Sequence, residues 1–313
     1  MSSKSFASVP KGDQAKPSIH ANLFDKVGAL LPIRTRLFLG EKRWGRIDPK
    51  VVRISKKTVL RGPTEAAELE ALRYVYEHTS IPVPKVHATY TFEGGLYIEM
   101  DFVEGDTLFT AWRKTLSPDQ KKVIMKELAV STTQLRGLEP PRDELVASVN
   151  SGPGVDYRVG YRPFGPCFSH EEFHSLLRGG IPLEDTSKVY TEPVTRCHSK
   201  SYRTCFSHAD ITPRNIIVRD GHIAAIIDWQ FGGWYPEYWE YTKAHYNVFI
   251  EVDWWAEFKE AVDQYEGELE AERALWRLFS EPGDAKHWIV EAIRRQDDDE
   301  LSKRSGSMSK SIR

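Results

Sequence analysis

Apolar residues in this chain fall into short runs broken by turn signals in some stretches and recur at helical spacing in others. Ile216-Ile217-Val218 and Ile223-Ala224-Ala225-Ile226-Ile227 flank Arg219-Asp220-Gly221-His222. Asp-Gly between β-favouring runs is a strong signal for a two-residue hairpin. In that register, position 219 faces 222 and 216 faces 225, so Asn215 and Asp228 emerge at the same end. Upstream, 51–54 and 58–60 are β-favouring runs joined by Ser55-Lys56-Lys57 and read as a first hairpin. Residues 86–92 and 96–102, separated by Glu93-Gly94-Gly95, read as a second.

Helical spacing appears between and after these strands. Leu69, Leu72, Val75 and Tyr76 share one arc at 100° per residue, with Glu65 and Glu68 within or beside it, which predicts that Glu68 faces inward. Thr64 is the expected N-cap and Glu65 suits the first turn. Residues 121–138 form a second expected helix with Val123, Leu128 and Leu135 in its core stripe, and part of 21–46 is expected to be helical. Pro236 suits a first helical turn, with Tyr238, Tyr241, His245 and Phe249 on one face. Ile81-Pro82-Val83-Pro84 is held extended by its prolines. Residues 139–168, rich in Gly and Pro, are expected to form a long irregular connection. Residues 1–18 and 294–313 are too polar to offset their ordering entropy by burial and are expected to be disordered tails.

Composition narrows the function classes. The 313 residues suit about two domains, and a hydrophobic content of 40% is enough for a core. With 43 basic against 45 acidic residues and a net charge of −2, neither a nucleic-acid surface nor a polybasic membrane anchor is indicated. Cys167, Cys197 and Cys205 lack C-x-x-C spacing, which argues against a disulfide framework or a zinc site. No apolar run approaches the roughly 20 residues of a membrane span, and the N-terminal residues carry no leader-like apolar core. The expectation is a soluble cytoplasmic protein with reduced thiols. His170 and His174 stand at i, i+4 but lack a third ligand, so they are read as surface histidines rather than a metal site.

The candidate chemistry lies around the Asp-Gly hairpin. Asp210, Asn215 and Asp228 supply carboxylate and amide oxygens, a donor set suited to magnesium, which takes oxygen ligands and is usually shared with substrate phosphates. The arrangement His208-x-Asp210-x-x-x-x-Asn215, followed by a strand-borne Asp, resembles the kinase catalytic loop.

The spellings HADITPRN, IIDWQFGGWYPEYWEY, HTSIPVPKVHATY and LYIEMDFVEGDTL resemble the aminoglycoside phosphotransferase and choline kinase-like family of small-molecule kinases, over roughly residues 40–260. The resemblance implies an α+β, bilobal protein-kinase-like fold, with a nucleotide-binding lobe at 19–103 and a catalytic and acceptor lobe at 104–293. It implies ATP and Mg as cofactors and a small-molecule hydroxyl acceptor, with His208 and Asp210 as catalytic residues and Asn215 and Asp228 on the metal. Relatives place a lysine on the strand where this chain has Arg61, with Lys56 and Lys57 as rivals if the register slips. Glu68 would orient that cation, and the hinge reading the adenine edge would run from Met100 through Phe102 to Val103. No G-x-G-x-x-G loop is present. Aromatic residues crowd the stretch after Asp228, and with Glu237 and Glu240 they suggest an amine-bearing acceptor. The departure at Arg61 motivates the alternative of a pseudokinase that binds nucleotide or a partner without transferring phosphate. A metal-dependent hydrolase is a third reading.

Overall fold

The computed structural model describes residues 31–246 and 252–278, which form two lobes. The two expected tails, and Phe249, lie outside the described residues.

The N-terminal lobe is built on an antiparallel sheet. Helix α1 (Ile33–Trp44) leads into β1 (Arg46–Asp48), β2 (Val51–Arg53) and β3 (Thr58–Thr64), then helix α2 (Ala66–His78), β4 (Val86–Phe92) and β5 (Gly95–Asp101). The strand order is β1-β2-β3-β5-β4. Both expected hairpins are present, with β1 added ahead of the first. Val59 and Arg61 share one face of β3 by strand alternation, and Val59 packs in one cluster with Ala71, Leu72 and Val75 of α2. Arg61 is thereby directed at the same helix. Helix α2 starts later than expected, because Thr64 still pairs with Leu96 in the sheet and stays extended. Glu65 takes the N-cap position instead. Glu68 is inward at 1% exposure, whereas Tyr76 is exposed.

The C-terminal lobe opens with β6 (Asp106–Thr107), helix α3 (Leu108–Lys114) and helix α4 (Pro118–Arg136). A capping box between Ser117 and Gln120, with Pro118 in the first turn, sets the start of α4. Ile124, Met125, Leu128 and Leu135 form its buried stripe, and Val123 turns outward. The segment expected to be irregular contains β7 (Ala147–Ser148), β8 (Gly154–Asp156) and β9 (Gly160–Phe164). Helix α5 (His170–Leu177), a 3-10 turn (Leu183–Asp185), α6 (Thr186–Val189) and α7 (Glu192–His198) follow. Next come β10 (Thr204–Ser207), β11 (Ile216–Arg219), β12 (His222–Ile226), β13 (Gly233–Pro236), α8 (Trp239–Ala244), α9 (Val252–Ala261) and α10 (Glu266–Leu278).

Further positions depart from the sequence reading. Pro236 ends β13, where it pairs opposite Thr204, and does not open a helix. His170 and His174 are buried, not superficial: His170 Nε2 lies 3.1 Å from Thr204 Oγ1 and His174 Nε2 lies 2.9 Å from Tyr238 Oη. The Asp-Gly turn forms as expected, both residues having positive φ (55° and 82°). A bulge between Ile217 and Val218 then shifts the register, so Ile216 faces Ile226 rather than Ala225.

Two glycines allow close approaches of the backbone around the site. A Cβ on Gly105, whose φ is 148°, would lie 2.4 Å from Val218 O, so the chain can pass beside β11 on entering the second lobe. A Cβ on Gly232 would lie 2.8 Å from Ala71 Cβ, so only glycine lets the loop after Asp228 press against α2. That contact brings Glu68 and Asp228 into the same region.

Candidate active site

Asp210 stands in the loop between β10 and β11, and Asn215 and Asp228 stand at the open end of the β11–β12 hairpin. The backbone joins them: Ile227 N donates to Asn215 O at 2.9 Å. Asn215 Nδ2 donates to Asp210 Oδ2 at 2.7 Å and to Asp210 O at 3.0 Å, which leaves Asn215 Oδ1 as the side-chain atom that could hold a metal. Ala209 and Asp228 both adopt the left-handed region, with φ of 61° and 65°. For residues with a Cβ this conformation costs on the order of 1–3 kcal/mol and needs surrounding support.

The support is visible. Glu240 on α8 lies half-buried beneath the loop, and its carboxylate accepts His208 N at 2.6 Å and Ala209 N at 3.2 Å. Burial pushes Glu240 up to about 7, against the pull of these backbone donors. His208 Nδ1 accepts the Asp210 N–H at 3.1 Å, so the proton sits on Nε2, which donates to Ile227 O at 2.9 Å. Both ring nitrogens are thus committed, and burial lowers the pKa of His208 to about 4. His208 braces the Asp210 loop against the end of the hairpin.

On the other side of the cleft, Arg61 joins the two lobes. Its Nε pairs with Glu68 Oε1 and its Nη2 lies 2.5 Å from Asp228 Oδ1. The Thr64 hydroxyl donates to the other Glu68 oxygen. Lys56 and Lys57 are exposed on the β2–β3 turn, away from this cluster. Asp228 is pushed up to about 6 by burial, with Arg61 opposing the shift. At the expected hinge, Met100 is buried and paired between Val59 and Val86. Phe102 N donates to Lys57 O at 2.7 Å, and the Arg53 guanidinium carbon lies 3.7 Å from the centre of the Phe102 ring. The Phe102 N–H is therefore already satisfied.

The third side of Asp210 was not anticipated. Asp156, at the end of β8, is fully buried. It accepts Lys243 Nζ at 2.8 Å, Trp239 Nε1 at 3.1 Å and Arg158 N at 2.8 Å. Trp239 and Lys243 are one helical turn apart, so α8 grips the β8–β9 hairpin with one face while Glu240 grips the catalytic loop. Tyr157, 41% exposed at the hairpin tip, packs edge-on against Phe231 at 4.9 Å. Burial pushes Asp210 up to about 7, and the Lys243 charge is the largest influence holding it down. The Trp-x-x-x-Lys spacing would have placed Trp239 and Lys243 together, but nothing local marks Asp156 as their partner.

The two glutamates expected to complement a cationic acceptor already have partners within the protein. Glu237 lies 3.1 Å from Arg203 and 3.3 Å from Arg136, and Glu240 serves the loop amides. Trp229, Trp234, Tyr235, Tyr238 and Trp239 are core residues at 1% exposure or less. A cavity of about 550 Å³ lined by Thr132, Arg136, Glu237, Tyr241 and Tyr265 also reaches Glu240 from behind the loop, away from Asp210.

Asp210, Asn215 and Asp228 gathered at an interlobe cleft, beside a strand-borne cation paired to a helix glutamate, define a kinase-like phosphotransferase fold. Residues 35–278 match the model of the phosphotransferase enzyme family, and the chain belongs to that family. Among solved structures, it resembles the GDP and kanamycin complex of APH(2")-IIia, at 13% identity over 86% of this chain and 94% of that one, with a TM-score of 0.52. It also resembles the macrolide 2'-phosphotransferase MphH from Brachybacterium faecium, at 15% identity over 79% and 89% of the two chains, with a TM-score of 0.47. The first of these likenesses is one of fold. No curated protein sequence gives a significant match.

Proposed function

We propose that this protein transfers the γ-phosphate of ATP to a hydroxyl group of a small molecule, with magnesium as the metal. The observation that carries this reading is the convergence of Asp210, Asn215 and Asp228 opposite the Arg61–Glu68 pair. Asp210 would accept the acceptor's hydroxyl proton or orient that hydroxyl. Asn215 Oδ1 and Asp228 would hold the cation, and Arg61 would meet the phosphates. The donor set fits such an ion: both groups offer hard oxygens, and among the described residues no cluster of three or more His, Cys, Asp or Glu could hold a metal unaided. The remaining ligands would be nucleotide phosphates and water. Bound there, magnesium would neutralise charge on the phosphates, while the protein's own part is positioning and electrostatic stabilisation.

The acceptor side favours a hydroxyl compound that does not depend on several amines. Asp156 is already matched by Lys243, and Glu237 and Glu240 are already bound. Magnesium-dependent stabilisation by ATP in a thermal-shift assay tests nucleotide binding. ATP consumption screened over sugars, amino sugars and amino alcohols tests transfer. Binding without turnover across the screen would favour the pseudokinase.

A further inference from the structure

We propose that Arg61 and a divalent cation compete for the same oxygen of Asp228, so that the guanidinium excludes free metal and releases Asp228 only when nucleotide phosphates draw it away. The inference rests on the reading of the cleft as a metal and nucleotide site. It comes from one planar group shared between two lobes: Arg61 Nε faces Glu68 on α2, and Nη2 lies 2.5 Å from Asp228 Oδ1.

The alternatives open to each partner are few. The Arg61 and Glu68 side chains are 8% and 1% exposed, so water cannot replace either one for the other, whereas Asp228 at 26% can be reached from the cleft. Arginine does not lose its proton in proteins, so Asp228 Oδ1 becomes free only if the guanidinium moves. A cation cannot avoid Asp228 by choosing Asn215 alone, because Asn215 Nδ2 is held by Asp210 and only Oδ1 remains. With Arg61 in place, a cation on Asp228 would put two positive centres on one carboxylate, in a partly buried setting where salt screens little.

Phosphate oxygens resolve the conflict, since they can accept bidentate hydrogen bonds from a guanidinium and ligate a metal at the same time. Arg61 can then keep Glu68 while exchanging Asp228 for phosphate. A lysine at this position would act differently. Its ammonium is a compact point charge without the fixed fork that spans Glu68 and Asp228 together.

The test is a titration of Mn²⁺ into the full-length protein, reading the free ion by electron paramagnetic resonance, with and without AMP-PNP. Arg61→Lys keeps the charge beside Glu68, so it isolates the geometry of the fork from charge itself. Without nucleotide, this variant should bind Mn²⁺ about tenfold more tightly than the wild type. With AMP-PNP the two should agree within about twofold, because the coupling between metal and nucleotide is smaller in the variant. Equal or weaker Mn²⁺ binding by Arg61→Lys in the absence of nucleotide overturns the competition. So does a gain seen only in Arg61→Met, which follows from removing a positive charge. Failure of AMP-PNP to bind any of the proteins would instead count against the nucleotide site, while the nucleotide-free titration still decides the competition.

Discussion

Lys243 Nζ lies 2.8 Å from Asp156 Oδ1, with the two side chains 5% and 0% exposed. Each charge is compensated by the other, and Trp239 and the Arg158 backbone satisfy the rest of Asp156. Removing one partner strands a buried charge, which costs roughly 3–5 kcal/mol, whereas removing both costs less. Lys243→Met should therefore lower stability by about that amount. Lys243→Met combined with Asp156→Asn should be more stable than Lys243→Met alone. Urea denaturation of the wild type, Lys243→Met, Asp156→Asn and the double variant checks this, and strictly additive losses would show that the pair is not coupled.

His174 and His198 stack with ring centroids 4.2 Å apart and planes 6° from parallel. Arg178 Nη1 lies 3.1 Å from His198 Nδ1, and because arginine only donates, that nitrogen must be unprotonated. Burial lowers the pKa of His174 to about 3 and that of His198 well below its usual value. The sign follows directly. Between about pH 6.5 and pH 3 the unfolded chain binds protons at His174 that the folded chain refuses, so stability is full above 6.5 and falls with acidification. By pH 5 the loss from His174 alone is on the order of 2 kcal/mol. Denaturation midpoints measured from pH 7.5 to 5 should fall, and His174→Gln should flatten the slope. An unchanged slope in that variant would place the acid sensitivity elsewhere.

Asp210→Asn keeps the side-chain shape and an oxygen for the Asn215 amide, but it removes the proton acceptor. Nucleotide binding should persist, while phosphoryl transfer falls roughly 10²- to 10⁴-fold. Single-turnover transfer measured beside nucleotide affinity separates the two, and undiminished transfer would remove Asp210 from the chemistry.

Asp228→Ala removes the carboxylate on which both Arg61 and a cation converge. Magnesium should then no longer raise ATP affinity, because the ion loses its principal protein ligand. Isothermal titration with and without magnesium reads this. A magnesium effect of wild-type size would show that Asp228 serves only to pair with Arg61.

Much of the fold and part of the site were legible along the chain. Turn chemistry and side-chain period act over a few residues, so the Asp220-Gly221 hairpin, the β2–β3 and β4–β5 hairpins and the inward face of Glu68 followed from local sequence. The spacing of His208, Asp210 and Asn215 on one loop, with Asp228 at the far end of the hairpin, likewise named the residues that meet in the cleft.

Tertiary packing decided the rest, because burial of a polar group depends on partners far away in the chain. Thr64 looked like a helix cap, but its pairing with Leu96 holds it in the sheet. His170 and His174 looked superficial, but Thr204 and Tyr238, 34 and 64 residues distant, satisfy them in the interior. Nothing in the local sequence singles out Lys243, and only the tertiary fold brings Asp156, 87 residues away, to its ammonium. Asp228 is 167 residues from Arg61, and only the docking of one lobe on the other lets a single guanidinium reach it and Glu68 together.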